Sequence, residues 1–229
     1  MIKKLLDLLL PRRCVVCNEC LNADERCLCT SCQAFLPRLS YDDLSDNDLV
    51  RLFWCELTFV RAFALMRYNP ASRYHNIIEV MKYKGRPDVC VAMGTLLAES
   101  VGSVDFFADI DAIVPVPLSR KRLRQRGYNQ AEQIAKGIGK ATGIRVFPDV
   151  LRRKVDNATQ TRLNSDMRMV NVHDIFEVVR TNGLKARHIL LVDDVVTTGA
   201  TLLSMARTLA ASFPGVRFSV ACVGQTVRQ

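Results

Sequence analysis

Apolar runs alternate with amphipathic stretches along the second half of the chain, from residue 110 onward. The order is strand, helix, strand, long loop, strand, helix, strand, and the predicted strands cover 110–117, 145–151, 188–192 and 216–223. Continuously apolar strands that are separated by helices are typical of a parallel sheet with both faces covered. The pattern therefore predicts an α/β domain, a parallel sheet flanked by helices.

The helices of this domain are predicted from the period of their apolar residues. Such residues recur three and four positions apart after Gly127 and again after Thr198, so each segment lays one apolar face on the sheet. Upstream, residues 56–68 are typical of a strand pair or one long strand. Helices are predicted over 71–83 and 88–101, separated by a Gly-Arg-Pro turn.

Composition divides the chain into three parts. Residues 1–36 are predicted to form an amphipathic helix and a cysteine-rich module, 37–55 an aspartate-rich linker, and 56–229 the α/β domain. The apolar stretch at 1–10 contains Asp7 and is too short to span a bilayer, so no integral membrane segment is expected. A peripheral contact with the inner face of the membrane is the alternative for this stretch.

Six of the nine cysteines lie between residues 14 and 32. Two C-x-x-C pairs, separated by eleven residues, allow four thiolates to converge tetrahedrally on one zinc ion. The predicted ligands are Cys14, Cys17, Cys29 and Cys32. Four thiolates leave no position for water or substrate, so the zinc is expected to be structural. Cys20 and Cys27 lie in the same segment, and the exchange of either for a predicted ligand stays open.

The compartment and the partner are constrained by cysteine usage and charge. With no secretion signal, crowded cysteines favour metal binding over disulfides and hence a reducing, cytoplasmic compartment. The net charge is +9, and five basic residues crowd into 120–126, which is predicted as a loop. They are Arg120, Lys121, Arg122, Arg124 and Arg126. Such a cluster suits the pyrophosphate of a small ligand or the phosphates of a nucleic acid. The alternative is a solvated loop that binds neither, and charge alone does not distinguish these three cases.

The residues at 188–201 (HILLVDDVVTTGAT) carry the chemistry of a phosphate site. In a parallel sheet, ligands bind at the carboxyl ends of the strands, where Asp193 and Asp194 are predicted to lie. Paired carboxylates there accept hydrogen bonds from ribose hydroxyls and help to hold Mg²⁺. The turn that follows offers a flexible glycine, hydroxyl donors and helix-initial amides to a phosphate. Its residues are Thr197, Thr198, Gly199, Ala200 and Thr201. The plainer alternative is a loop whose threonine only caps a helix.

The chain resembles two known families. Residues 192–201 resemble the phosphoribosyl pyrophosphate loop of type I phosphoribosyltransferases, which implies that the two aspartates contact the ribose and that residues 197–201 contact the 5′-phosphate. Nearly the whole chain resembles the ComF family of competence-related proteins, which joins an amino-terminal zinc module to this fold. The resemblance includes both C-x-x-C pairs, V-P-V-P-L at 114–118, R-G-Y-N-Q at 126–130 and the 160–171 stretch.

These resemblances imply two functions. The first is a protein that binds phosphoribosyl pyrophosphate with Mg²⁺ and serves the uptake or use of DNA, with single-stranded DNA and a helicase-like protein as expected partners. The alternative is an active phosphoribosyltransferase that transfers ribose 5-phosphate to a nucleobase or a related nitrogen acceptor. No pocket for an acceptor base is recognisable in the sequence. A zinc-dependent regulator is less favoured because no helix-turn-helix is apparent.

The polar segment at 152–172 is predicted to be a lid over the ligand, because loops of this length in compact domains are usually functional. Its candidates for closing on phosphate are Arg152, Arg153, Gln160, Arg162 and Arg168.

Overall fold

A computed structural model describes residues 11–53, 57–101, 106–154, 175–181 and 183–226 of the chain. In chain order the elements are α1 (Thr30–Ala34), α2 (Asp48–Arg51), β1 (Phe59–Arg67), α3 (His75–Tyr83), α4 (Pro87–Ser100), β2 (Ala112–Pro115), α5 (Arg120–Arg126), α6 (Gln130–Thr142), β3 (Leu151–Arg153), β4 (Phe176–Val178), β5 (His188–Val196), α7 (Ala200–Ser212) and β6 (Arg217–Gln225). The helix predicted over 1–10 lies outside these residues, as do the three lid candidates Gln160, Arg162 and Arg168.

The main sheet is parallel throughout, with the strand order β1-β6-β5-β2. The central strand β5 is fully buried from His188 to Val192, because α4 and α6 cover one face of the sheet while α7 covers the other. This double cover explains the continuous apolar runs in the sequence. The predicted α/β fold, a parallel sheet flanked by helices, is confirmed.

The segments at 145–151 and 120–126 differ in kind from their prediction, and residues 152 and 153 of the predicted polar loop belong to strand β3. The strand expected at 145–151 is reduced to one parallel bridge between Val146 and Ile113, since Pro148 lacks the N–H that a longer pairing requires. The basic segment expected to be a loop instead forms helix α5. Ser119 caps its first turn by accepting a hydrogen bond from the Arg122 backbone N–H (3.3 Å), and Gly127 ends it in the left-handed region with φ +79°.

The cysteine-rich segment packs directly on the α/β body. Its buried Cys27 and Leu28 share one apolar core with Met93 of α4. The Tyr74 hydroxyl, at the start of α3, donates to the Cys32 carbonyl oxygen (3.2 Å). Arg26 pairs with a carboxylate of α4 at the surface. The module therefore shares its interior with the domain that follows it.

The segment predicted as a linker also contributes to the core where it is described, up to residue 53. Leu49 and Val50 of α2 are fully buried, and Phe53 is 2% exposed. The Asn47 side chain caps α2 and donates to the Ala62 carbonyl oxygen of β1 (3.1 Å). These contacts fix the segment against the outer strand of the sheet. The domain limits at residues 36 and 56 stay a prediction.

Helices α4 and α6 cross at backbone contact distance. A Cβ atom added to Gly94 would lie 2.1 Å from the Ile134 carbonyl oxygen, and one added to Gly137 would lie 2.2 Å from the Val91 carbonyl oxygen. Backbone atoms cannot yield as the end of a side chain does, so the crossing requires glycine on both helices. This crossing fixes α6, and with it the segment that precedes it, against α4.

We expect Gly137→Ala to destabilise the protein by about 1–3 kcal/mol, because the new methyl group forces the two helices apart. The sign of this change distinguishes the close crossing from an ordinary helix interior, where Gly→Ala stabilises by about 0.5–1 kcal/mol. Urea denaturation measures the change. The exposed Lys140→Ala in the same helix is the control and should stay within about 0.5 kcal/mol of the unmodified chain; an equally stable Gly137→Ala would contradict the close crossing.

Candidate functional site

The two predicted acids lie near the carboxyl end of β5, among the carboxyl ends of its parallel neighbours. The strand continues through both of them to Val196, four residues beyond its predicted end. Neighbouring side chains on a strand point to opposite faces, so the pair is divided between the two sides of the sheet. Both acids are half-buried, and the Asp194 backbone N–H donates to Asp193 Oδ1 (2.8 Å).

A lysine that the sequence did not single out accompanies the acids. Lys82, near the end of α3, places its Nζ 3.3 Å from Asp194 Oδ1. Burial, and after it the charge of Asp194, raises the pKa of Asp193 to about 7, while Lys82 acts in the opposite direction. The Asp193 carboxyl is therefore partly protonated at neutral pH. A further cation at this edge would favour the fully ionised pair.

The turn after β5 is shaped by Gly199. Its φ is +74°, and a Cβ there would lie 2.7 Å from the Phe53 ring, so glycine is required by conformation and by space. Gly199 precedes α7, whose first backbone N–H groups have no partner within the helix and lie at the positive end of its dipole. Thr197 and Thr198 are exposed beside them. This arrangement suits a phosphate group.

Phe53 is a second residue that sequence reasoning missed. Its ring stacks on Phe59 of β1, with centroids 4.4 Å apart, and covers Gly199. The segment between the cysteine-rich module and β1 thus forms the floor of the phosphate turn. An apolar residue at the end of an aspartate-rich stretch carried no signal of this long-range contact.

The five predicted basic residues all lie on α5, and the helix directs them to different parts of the surface. Arg122 and Arg126, one helical turn apart, line a cavity of about 780 Å³ with Lys82, Tyr83, Gly85 and Gln125. Arg120 faces a different cavity, of about 380 Å³, together with Arg152, Arg153, Lys154 and Glu177. Lys121 and Arg124 line neither of these two cavities. The sequence predicted one basic loop, whereas the structure has a helix with basic cavities at two places.

The R-G-Y-N-Q motif at 126–130 connects three elements around the larger cavity. The Tyr128 hydroxyl donates to the Met81 carbonyl oxygen (2.7 Å) and so fastens the end of α3. The Asn129 side chain donates to the Val116 carbonyl oxygen (3.0 Å), just beyond β2, and caps α6. The motif thus fixes the geometry of the carboxyl-end edge.

The four predicted zinc ligands lie together, with all Sγ atoms within 4.8 Å of one another. The Cys17 and Cys29 sulfurs are 3.6 Å apart, close to the spacing of about 3.8 Å that tetrahedral Zn–S bonds of about 2.3 Å require. Burial works to raise the pKa of Cys14, but hydrogen bonds from backbone N–H groups outweigh it and lower this pKa to about 7. The donor set fits a closed structural zinc site.

The other two cysteines of the segment point elsewhere. Cys20 is exposed. Cys27 is buried with its Sγ 3.9 Å from Met93 Sδ, and burial raises the pKa of its thiol to about 12. Neither sulfur belongs to the group of four that converges, so the geometry favours the predicted ligand set.

A Ser219–His188–Asp109 arrangement at the opposite edge of the sheet has the order of a catalytic triad but not its accessibility. His188 Nε2 lies 2.9 Å from Ser219 Oγ, and its Nδ1 lies 3.1 Å from Asp109 Oδ2. Both the serine and the histidine are fully buried. No substrate can reach the hydroxyl, so the group is structural.

Comparison with known proteins relates the chain to competence proteins. It is 35% identical over 100 residues to Competence protein F of Haemophilus influenzae, 29% over 136 residues to DNA utilization protein YhgH of Escherichia coli K12, and 27% over 163 residues to Competence protein ComFC of Bacillus subtilis. These similarities support a ComF family assignment. The alignments cover 43, 58 and 68% of this chain and 44, 59 and 64% of the respective relatives, so the chain spans less than two thirds of each relative's length.

Other comparisons add less to the family assignment. No protein-family model matches this chain. The allosteric regulatory enzyme of purine biosynthesis is a solved structure with 20% identity and a TM-score of 0.38, covering 62% of this chain and 29% of that one. Within the described residues, none of the helices combines the length and the apolar character needed to cross a membrane.

We expect Cys17→Ser to lose most of the bound metal, because it removes one of four converging sulfurs, and to lower the thermal stability of the chain. Zinc released on denaturation, quantified against about one ion per chain for the unmodified protein, measures the effect. Cys20→Ser is the matched control and should retain its zinc. Loss of zinc in the control and retention in Cys17→Ser would overturn the predicted ligand set.

We expect Asp193→Asn to stabilise the protein more at pH 8 than at pH 5. The folded pKa of about 7 lies above the ordinary value of 3.8, so the folded state binds more protons than the unfolded state between these values, and the stability of the unmodified chain falls as the pH rises through them. Asparagine removes this loss, with an expected gain of about 2–4 °C in Tm at pH 8. Asp24→Asn, at an exposed position, should show no such pH-dependent gain.

Proposed function

We propose that this ComF-like protein binds phosphoribosyl pyrophosphate with Mg²⁺ at the carboxyl-end edge of its sheet and acts in the uptake or use of DNA. The observation that carries the proposal is the β5–α7 unit. It combines half-buried Asp193 and Asp194 with a turn in which position 199 accepts only glycine. The turn lies at the start of a thirteen-residue helix. A cap alone requires neither paired acids nor a glycine held against an aromatic ring.

Each part of the ligand has a chemical counterpart at this edge. The 5′-phosphate would accept hydrogen bonds from the helix-initial amides and from the hydroxyls of Thr197, Thr198 and Thr201. The ribose hydroxyls would donate to the paired carboxylates. Mg²⁺, which prefers oxygen ligands, would lie between the carboxylates and the ligand and favour their ionised form. Pyrophosphate would lie toward the cations that flank the acids.

The pyrophosphate end has two candidate sites. One basic cavity contains Lys82, Arg122 and Arg126, and the other contains Arg120 and Arg153 among its lining residues. A single ligand has one pyrophosphate group, so this basic surface exceeds what the ligand alone requires. The surplus positive charge is available to a second anion, which supports a role with nucleic acid.

The proposed role in DNA handling is supported by the names of the relatives, which are competence proteins and DNA utilization proteins. Single-stranded DNA would contact the basic surface of α5 and the zinc module, in a salt-dependent manner. A helicase-like protein is the proposed partner. Zinc would hold the amino-terminal module folded, and the chemistry of ligand binding would belong to the sheet edge.

An active phosphoribosyltransferase is the second candidate, favoured by the large cavity next to the acids, which gives an acceptor room to approach. In that reaction a nitrogen lone pair of the acceptor would form a bond to ribose C1. The bond from C1 to the pyrophosphate oxygen would break, pyrophosphate would leave with both electrons, and the acceptor nitrogen would pass its proton to water. The basic side chains would stabilise the leaving pyrophosphate.

Calorimetric titration of phosphoribosyl pyrophosphate with Mg²⁺ tests the ligand site. We expect saturable binding by the unmodified protein and a loss of at least about tenfold in Asp193→Asn/Asp194→Asn, since hydrogen bonds to charged groups contribute about 1.5–3 kcal/mol each. Asp24→Asn/Asp42→Asn, which removes the same charge from exposed positions, should bind as the unmodified chain does. Absence of binding in the unmodified protein would overturn the proposal.

A further inference from the structure

Tyr83 is an exposed aromatic residue among basic side chains. Its side chain, at the end of α3, is 62% exposed and forms part of the wall of the 780 Å³ cavity. The other lining residues are Lys82, Gly85, Arg122, Gln125 and Arg126. The lining thus contains three cations, an amide and an aromatic ring, and no carboxylate. A cavity of this composition suits an anionic ligand that also has a flat apolar face.

The ring of Tyr83 is held from one side. The guanidinium of Arg126 lies over it, 5.3 Å from the ring centroid. Arg126 in turn donates from Nη1 to Oε1 of Gln130 (2.7 Å), a side chain that is 1% exposed. A buried anchor therefore fixes the cation, and the cation supports one face of the ring. A contact that supports the ring before any ligand arrives reduces the entropy lost on binding.

The cavity adjoins the proposed ribose site. Lys82 lines the cavity and contacts Asp194 across 3.3 Å. The Tyr128 hydroxyl bonds to the Met81 carbonyl oxygen and so fixes the last turn of α3, from which both Lys82 and Tyr83 project. A planar group on Tyr83 would therefore lie next to a bound sugar phosphate.

We propose that this cavity is a nucleobase-binding site in which Tyr83 stacks on the base. Gln125 offers both a donor and an acceptor to the base edge, and Arg122 with Lys82 neutralises the adjoining phosphate. The proposal rests on the proposed function, since it places a base beside the phosphoribosyl site. A phosphate alone would require the cations but not the ring. The base comes either from a single-stranded nucleic acid or from a free nucleobase that acts as acceptor.

Fluorescence anisotropy with labelled oligonucleotides tests the stacking. An oligothymidylate of about ten nucleotides and an abasic strand of the same length carry the same phosphates, so they differ only in their bases. We expect Tyr83→Ala to weaken binding of the base-bearing strand by about fivefold or more, as stacking of about 1–3 kcal/mol per base implies, and to leave abasic binding unchanged. Tyr83→Phe should restore binding because it keeps the ring. Val179→Ala, at an apolar side chain that is 43% exposed and lies outside both the zinc module and α5, is the control and should bind both strands as the unmodified protein does.

A second arm distinguishes the source of the base. Free adenine, guanine, cytosine and uracil are titrated calorimetrically into the unmodified protein and into Tyr83→Ala, each saturated with phosphoribosyl pyrophosphate and Mg²⁺. Loss of free-base binding in the variant, with oligonucleotide binding unchanged, would assign the cavity to an acceptor. Loss of oligonucleotide binding alone would assign it to a strand.

The proposal is overturned if the unmodified protein binds base-bearing and abasic strands equally and binds no free base, or if Tyr83→Ala binds every probe as the unmodified protein does. Failure of the proposed function is a separate result: the titration of phosphoribosyl pyrophosphate into the unmodified protein decides it without Tyr83. Thermal unfolding of Tyr83→Ala, expected within about 0.5 kcal/mol of the unmodified chain for an exposed side chain, confirms that the variant is folded.

Discussion

Backbone hydrogen bonds hold β5 between β6 and β2, with all three strands running in one direction. This pairing brings the start of α5 and the start of α7 to the same edge of the sheet, because each helix follows the carboxyl end of its strand. The acids of β5, the glycine turn and the basic helix are far apart in sequence, yet the parallel arrangement alone places them together. The contacts of Phe53, Lys82 and Tyr128 then adjust positions that the sheet has already assigned.

The sequence sufficed for features that depend on local pattern. The apolar run of β5, its two acids and the glycine turn were all recognisable, and the spacing of the cysteine pairs agrees with the cluster of sulfurs. Helix α5 was missed because it has no apolar face to give a period, although Ser119 and Gly127 are ordinary capping residues. Lys82, Tyr83 and Phe53 could not be assigned, since their importance comes from contacts between segments remote in sequence.

The repulsion and the burial of the two acids make the site electrostatically unfavourable in the free protein. Two neighbouring carboxylates, one with a pKa of about 7, lie beside Lys82 in a half-buried position. A fold optimised only for stability would place apolar residues there. On both sides of these acids the surface is basic, so negative charge at the centre is surrounded by positive charge. This contrast favours a ligand that brings both a metal cation and phosphates, since each then meets its opposite charge.

Helix α3 has a different neighbour at each of its ends. Just before its first turn, the Tyr74 hydroxyl bonds to the carbonyl of Cys32 in the cysteine-rich module. Its last turn carries Lys82 and Tyr83 to the ligand edge. A nine-residue helix is about 14 Å long, so the two contacts are separated by little more than that distance. The cysteine-rich module and the ligand edge are thus contacted by opposite ends of one helix.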